Sequence, residues 1–423
     1  MKELDITELD LAGLIKKSET VTWGNACAEP LTLTEALVAQ RKKLDDVHVF
    51  FGSAFSKTFS PEHAEDLTFM STGGVGTAGV LTKAGVCDVI PCHVSQVAGY
   101  IAAGRIPCDV VFVQVSPPNE RGEYSLGVTS DFIYTAVKKA RLVIAEINSQ
   151  TPRSFCSQPL TAADIDYCIY SDRPVVELQA APITDIDRTI SSFAEGFIPD
   201  RATLQVGIGG VPEALMAELK SRKGLGIHSG MIGDSVVDLA ESGALTNEFK
   251  ETDPGITVTG ALIGTKRLYD FAHDNPALRM DPASVTHDIR VLAELSNFIS
   301  LNSALEVDIT GQVNAEGIGP NYFGSVGGQV DYVRAAGLSK GGCSLIALRS
   351  SAKGGEVSKI VSKLSGPVTT ARSDVGVVVT EFGAADLRGL PLTKRVKAMI
   401  DIAPPEHRER LEREAHDVVR MVS

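Results

Sequence analysis

The sequence contains no long apolar run. Its longest, such as VVFVQV at 110–115, are strand-sized and well short of the ~20 residues a membrane-spanning helix needs. It has no CxxC, and its seven cysteines (Cys27, Cys87, Cys92, Cys108, Cys156, Cys168 and Cys343) are odd in number. Neither a disulfide framework nor a zinc site is indicated, and a reduced, cytoplasmic setting is expected. The opening MKELDITELD is acidic and amphipathic, so it reads as neither a secretory signal nor a transit peptide. Positive charge is scarce: 40 Lys and Arg face 53 Asp and Glu, a net charge of −13. That argues against a general nucleic-acid binder, which needs a basic face against phosphates. The patterns HExxH and GxxxxGK[ST] are absent as well, which sets aside zinc-protease and P-loop machinery.

What is present is globular. A chain of 423 residues exceeds one ordinary core, so two or three domains are expected. Hydrophobic residues at 43% and charged residues at 22% exclude general disorder. The 39 glycines fall in short clusters, the mark of tight strand-to-helix turns. The first half alternates β-rich runs (DDVHVFFGSAF, CDVIP, CDVVFVQVSP, LVIAEINS) with helical patterns such as SQVAGYIAAG. Such alternation implies a mainly parallel sheet with helices on both faces. A stretch punctuated by Pro174, Pro182 and Pro199 looks like a crossover, after which the alternation restarts with ATLQVGIGG and VPEALMAELKSRK. The expected domains are 1–190 and 191–423, and their similar grammar suggests that they are related. A helix from Pro405 is expected to carry Glu406/Arg410 and Glu409/Arg413 pairs at i,i+4.

Three features could carry chemistry. GVGTAG at Gly74–Gly79 matches a dinucleotide fingerprint literally. No acidic residue follows at the ribose-binding distance, so a backbone turn is the better reading, with an NAD enzyme as the rival. GIGG at Gly207–Gly210 joins a strand to a helix with Pro212 near its start. Such a turn aims backbone N–H groups at one spot, suited to an anion or an oxyanion, unless it is a plain tight turn. The segment from Arg334 to Arg372 holds seven basic residues (Arg334, Lys340, Arg349, Lys353, Lys359, Lys363 and Arg372), opposed only by Glu356. Glycine and lysine together there, in SKGGC and SAKGGE, suit a polyphosphate ligand; a solvated face is the alternative. The eight histidines do not cluster. His228 alone lies beside a candidate site.

Over nearly its whole length the chain resembles the acetyl-CoA hydrolase/transferase family of class I coenzyme A transferases, most of all its 4-hydroxybutyrate CoA-transferase branch. The resemblance is carried by VSPPNERGEYSLGVTSDF, VIAEINSQTPR, LQVGIGGVPEAL, GIHSGMIGDSVVDL, NSALEVDITGQVNAE, SVGGQVDYVRAA and VVTEFGAADLRGLPL. It implies two open-sheet α/β domains with the active site in the interdomain cleft, coenzyme A as substrate and product, no metal, small carboxylic acids as partners, and a homo-dimer or tetramer. In that family a glutamate carboxylate attacks the thioester and carries CoA as a glutamyl thioester. Here the matching motif reads Gly226-Ile227-His228-Ser229-Gly230, which puts Gly230 at the nucleophile's position. Candidate substitutes are Glu294, Glu306 and Glu146, the last at a first-domain strand end; Asp234 lies four residues on. The resemblance also implies that Gly207, Ile208, Gly209 and Gly210 hold the thioester oxygen or pantetheine. Gly327 and Gly328 form the opposing loop, and Lys353 meets a CoA phosphate. The acyl pocket is expected around Phe55, Gly74–Gly76 and His93–Gln96. Three readings follow: an acyl-CoA hydrolase, a CoA-transferase with a relocated carboxylate, and a non-catalytic CoA-binding protein.

Overall fold

The computed structural model describes residues 1–420. Two large twisted sheets account for the core. The first runs, edge to edge, through Lys2–Glu3, Tyr167–Ser171, Leu142–Asn148, Val110–Val115, Thr20–Thr22, Val47–Phe51, Leu67–Ser71 and Cys87–Val89. All its pairings are parallel. Val110–Val115 and Leu142–Asn148 are buried at every position, as strands covered by helices on both faces must be. The second sheet runs through Gly383–Asp386, Val377–Thr380, Cys343–Ala347, Phe298–Asn302, Thr203–Val206, Gly226–Ser229, Thr257–Thr259, Leu278–Met280 and Phe155–Cys156. Only its Gly383–Asp386 edge is antiparallel. No described helix is long and apolar enough to cross a membrane.

The two sheets share one plan. In the first, after the edge strand Lys2–Glu3, the chain enters at Thr20–Thr22, lays three strands to one side, then returns to lay Val110–Val115, Leu142–Asn148 and Tyr167–Ser171 on the other. In the second, it starts at Thr203–Val206, lays three strands outward, then returns with Phe298–Asn302, Cys343–Ala347 and Val377–Thr380. Each sheet therefore has one switch point, where the loops leaving adjacent strands diverge and open a crevice at the carboxyl ends.

The division between the sheets falls earlier than residue 190. The first sheet ends at Ser171, and helix Asp185–Glu195 follows a linker. Ile190 is fully buried in the core of the second sheet. A cut at 190 bisects this helix, because prolines mark the crossover without showing which core its helix covers. One strand crosses the divide outright: Phe155–Cys156, from the first half, pairs beside Leu278–Met280 at the edge of the second sheet. The C-terminal helix Pro405–Arg420 is present. Arg413 approaches Glu409 at 4.0 Å, but Arg410 turns to Glu414 at 3.0 Å rather than to Glu406.

Candidate active site

The carboxyl ends of the two sheets face one another across a cavity of about 270 Å³. The first sheet supplies Asn25 and Ala26 after Thr20–Thr22, Phe55 after Val47–Phe51, and Gly73 and Val75 after Leu67–Ser71. The second supplies Gly207 and Ile208, Gly230 and Met231, Ala261 and Ile263, and Asn302. The loop from Ser325 to Gln329 completes the wall and is stitched to the first domain. Gly74 N donates to Gly324 O at 2.7 Å, and Val94 N to Gly327 O at 3.0 Å.

This stitching explains GVGTAG. A Cβ on Gly74 would lie 2.5 Å from Tyr322 O and 2.8 Å from Phe323 Cα, and Gly76 has φ +67°. The glycines let the second domain's loop approach the turn, and no room is left for a dinucleotide there.

The GIGG turn joins strand Thr203–Val206 to helix Gly210–Glu218 as expected, with Gly209 at φ +130°, which glycine alone adopts readily. Its four residues do not act alike. Gly207 and Ile208 line the cavity. Gly209 lines a neighbouring cavity with Glu213 and Asp234, which shares Ile208 and Ile263 with the first. Gly210 instead packs against Asp187, 2.7 Å from where its Cβ would be. Gly327 and Gly328 line the main cavity opposite. Phe55, Val75 and Val94 do so from the segments expected to form the acyl pocket.

The substitute carboxylates do not reach the cavity. Glu146 is wholly buried within its strand and takes hydrogen bonds from Thr32 N, Thr32 Oγ1 and Ser171 Oγ at 2.7–2.9 Å. Glu306 accepts from Asn314 Nδ2 at 2.9 Å and Ser365 N at 2.6 Å. Both are structural acceptors with their lone pairs engaged. Glu294 is exposed at a helix end and is not on the wall of this cavity. Asp234 accepts from Thr265 N and Oγ1 at 3.0 and 2.9 Å and faces only the side cavity. The basic segment is also partly engaged elsewhere: Arg334 pairs with Asp374 at 2.9 Å and Arg349 with Asp187 at 2.7 Å. Lys353 is exposed, and among the described residues no lysine or arginine lines the main cavity.

At Gly230 the backbone is not left-handed, yet the space before it is closed. A Cβ there would lie 2.5 Å from His287 Cε1, 2.7 Å from His287 Nε2 and 2.6 Å from Tyr332 Oη. The two rings pack with centroids 4.7 Å apart, and both line the cavity. Burial pushes the His287 imidazole down to about 3, so it is neutral, with Nδ1 2.9 Å from Thr286 Oγ1. Tyr332 Oη is buried beside the Gly230 backbone and the Thr286 side chain. His228 lies outside the cavity wall, fully buried, its imidazole lowered to about 4 by burial.

One carboxylate does line the cavity: Asp131, from the VTSDF stretch. It sits inside a motif that carries the family resemblance, which is the one sequence signal that points to it; strand ends and second-domain segments do not. Its backbone explains its placement. Ser130 N donates to Gly260 O at 2.8 Å and Ala283 N to Asp131 O at 3.0 Å, which draws this first-domain loop against the segment leading to His287. Burial without a cationic partner raises the carboxyl to about 6.

Comparison with known proteins agrees with this architecture. The acetyl-CoA hydrolase/transferase N-terminal domain matches residues 3–178, and the corresponding C-terminal domain matches residues 264–415. The chain is 38% identical over 417 residues to the 4-hydroxybutyrate coenzyme A transferase of Clostridium kluyveri, covering 97% of this chain and 96% of that one. The crystal structure of RipA from Yersinia pestis superposes with a TM-score of 0.93 at 30% identity, covering 99% of this chain and 97% of that one. A 4-hydroxybutyrate CoA-transferase from Porphyromonas gingivalis superposes with a TM-score of 0.82 at 32% identity, covering 98% and 97%. The chain belongs to the acetyl-CoA hydrolase/transferase family, with two class I CoA-transferase-type α/β domains.

Proposed function

We propose that the protein hydrolyses acyl-CoA thioesters of small carboxylic acids, with water in place of the family's glutamyl nucleophile. The observation that carries this reading is Gly230. The position is glycine, and the volume its side chain would fill is taken by His287 and Tyr332. The site is therefore rebuilt rather than merely shortened, and a glutamyl-CoA adduct has no place to form. A second observation points the same way. A transferase must seat a free acceptor carboxylate beside the thioester, and the described residues of this cavity offer it no lysine or arginine. The cavity-lining Tyr332 hydroxyl and the backbone of Gly207 and Ile208 are the donors proposed for the thioester oxygen. The nucleotide end of coenzyme A lies outside the apolar cavity, where Lys353 is the proposed phosphate contact.

The relocated-carboxylate transferase is the second reading, favoured by the transferase names of the relatives above and by the presence of Asp131 in the cavity. The two are separated by incubating the protein with acetyl-CoA and butyryl-CoA, with and without acetate, and following free thiol and acyl exchange by mass spectrometry. Hydrolysis predicts thiol release that acetate leaves unchanged. Acetate-dependent exchange without net thiol release overturns it.

A further inference from the structure

We propose that Asp131 is the proton acceptor that activates the attacking water in this cavity. The inference rests on the hydrolytic reading above and adds the residue that performs it. Among the described residues Asp131 is the only carboxylate on the cavity wall, at 7% exposure. It stands on the first-domain side, and its loop is bonded through Ser130 and Asp131 to Gly260 and Ala283. Gly260 in turn packs against the backbone oxygen of Gly230, 2.9 Å from where its own Cβ would be. The carboxylate and the position of the family nucleophile thus line one cavity from opposite domains.

Its orientation is fixed. Phe132 N donates to Oδ1 at 2.5 Å, and Asn25 Nδ2 donates to Oδ2. With the Ile133 N–H also directed at the carboxylate, these donors leave it a lone pair for one more proton. In the step, water gives a proton to Asp131 while its oxygen bonds to the thioester carbonyl carbon. The tetrahedral intermediate then collapses, the C–S bond breaks, and the proton passes from Asp131 to the departing sulfur. The products are the carboxylic acid and CoA thiol, and Asp131 returns ionised.

The remaining titratable groups of the wall are Cys92, His287 and Tyr332. Burial raises Cys92 to about 11, lowers His287 to about 3 and raises Tyr332 far above its ordinary value. Asp131, raised to about 6 by the same burial, is the one described wall group that changes charge between pH 4 and pH 10, and its value suits a general base near neutrality.

The test compares the full-length wild type with Asp131→Asn, using acetyl-CoA and butyryl-CoA, thiol release as the readout, and a melting curve to confirm folding. Asn25 allows this variant, because its amide oxygen lacks a partner among the described residues and can turn to face the new amide. Hydrolysis is expected to fall by ~10²–10⁴-fold, the span of general-base catalysis. Hydroxylamine is a nucleophile strong enough to attack without a base, so acyl-hydroxamate formation should stay within about tenfold of wild type. Wild-type hydrolysis should rise with pH up to about 6 and level off. Undiminished hydrolysis in Asp131→Asn overturns the proposal, as does equal loss of both reactions, which indicates a structural role. So does incorporation of ¹⁸O from labelled water into the Asp131 carboxylate in a single turnover, which marks a nucleophile. If the variant fails to fold, the wild-type profile decides, and a rate flat from pH 5 to 8 rejects the assignment. A wild type that releases no thiol without an acceptor acid removes the hydrolytic reading itself, and this inference with it.

Discussion

At the scale of single residues, Gly230 shows how a glycine can face occupied rather than open space. His287 and Tyr332 fill the volume before its Cα. Gly230→Ala is therefore expected to lower stability by ~1–3 kcal/mol, the cost of overpacking a filled interior, as measured by urea denaturation. Gly230→Glu alone should gain no acyl exchange. In a His287→Ala, Tyr332→Phe background the glutamate has room, and exchange with acetate above that background is the expected outcome. A gain by the single substitution would show that the rings do not block the position. Asp131 makes a second residue-scale prediction. A carboxyl raised from 3.8 to about 6 binds its proton more tightly folded than unfolded. Its contribution to stability is full below the unfolded value and is lost as pH rises through the folded one. The difference corresponds to about 3 kcal/mol. Wild type should accordingly lose stability between pH 4 and pH 7 relative to Asp131→Asn; parallel curves for the two proteins would contradict the shift.

At the scale of elements, the turns carry the interdomain seam. Gly74 faces backbone atoms of Tyr322 and Phe323 at distances a Cβ cannot share, so Gly74→Ala should destabilise the protein and impair thiol release together. Gly99, within helix Val94–Ala102, has nothing within 4 Å of a built Cβ. Gly99→Ala is expected to stabilise by ~0.4–1 kcal/mol through the unfolded chain. Thermal melts of the pair distinguish a glycine needed for close approach from one that is not. Much of the element order is legible in the sequence, because alternating apolar runs and glycine turns reflect local geometry. The strands Val47–Phe51, Val110–Val115 and Leu142–Asn148 and the helix Asp185–Glu195 all form where the pattern marks them. What the pattern does not show is proximity between distant segments. Glu146 reads as a strand-end residue, but Thr32 and Ser171 enclose it. The rings that fill the place before Gly230 lie far along the chain, and no local signal ties them to it.

At the scale of the whole molecule, two sheets of one plan meet carboxyl edge to carboxyl edge, so each domain contributes half of the cavity. The apolar interior between them suits an acyl group and excludes a nucleotide, whose phosphates would be buried without cations. Those phosphates must remain in solvent, where any attraction to the basic segment is screened over ~8–10 Å at ordinary ionic strength. Coenzyme A affinity is therefore expected to fall as salt rises. The fall should be shallower than seven basic residues suggest, since Arg334 and Arg349 are already paired with Asp374 and Asp187. Lys353 sits exposed in the glycine-rich turn at 353–355, with its backbone in the left-handed region at φ 50°. Lys353→Glu should weaken coenzyme A binding by about 1–2 kcal/mol at low salt, the scale of one charge-assisted hydrogen bond replaced by repulsion. The difference should shrink as salt rises, while the binding of a short acyl-pantetheine, which lacks the nucleotide, stays unchanged. Calorimetry with both ligands separates the cases. Equal weakening of both would place Lys353 at the acyl end, and no weakening of either would remove it from the site.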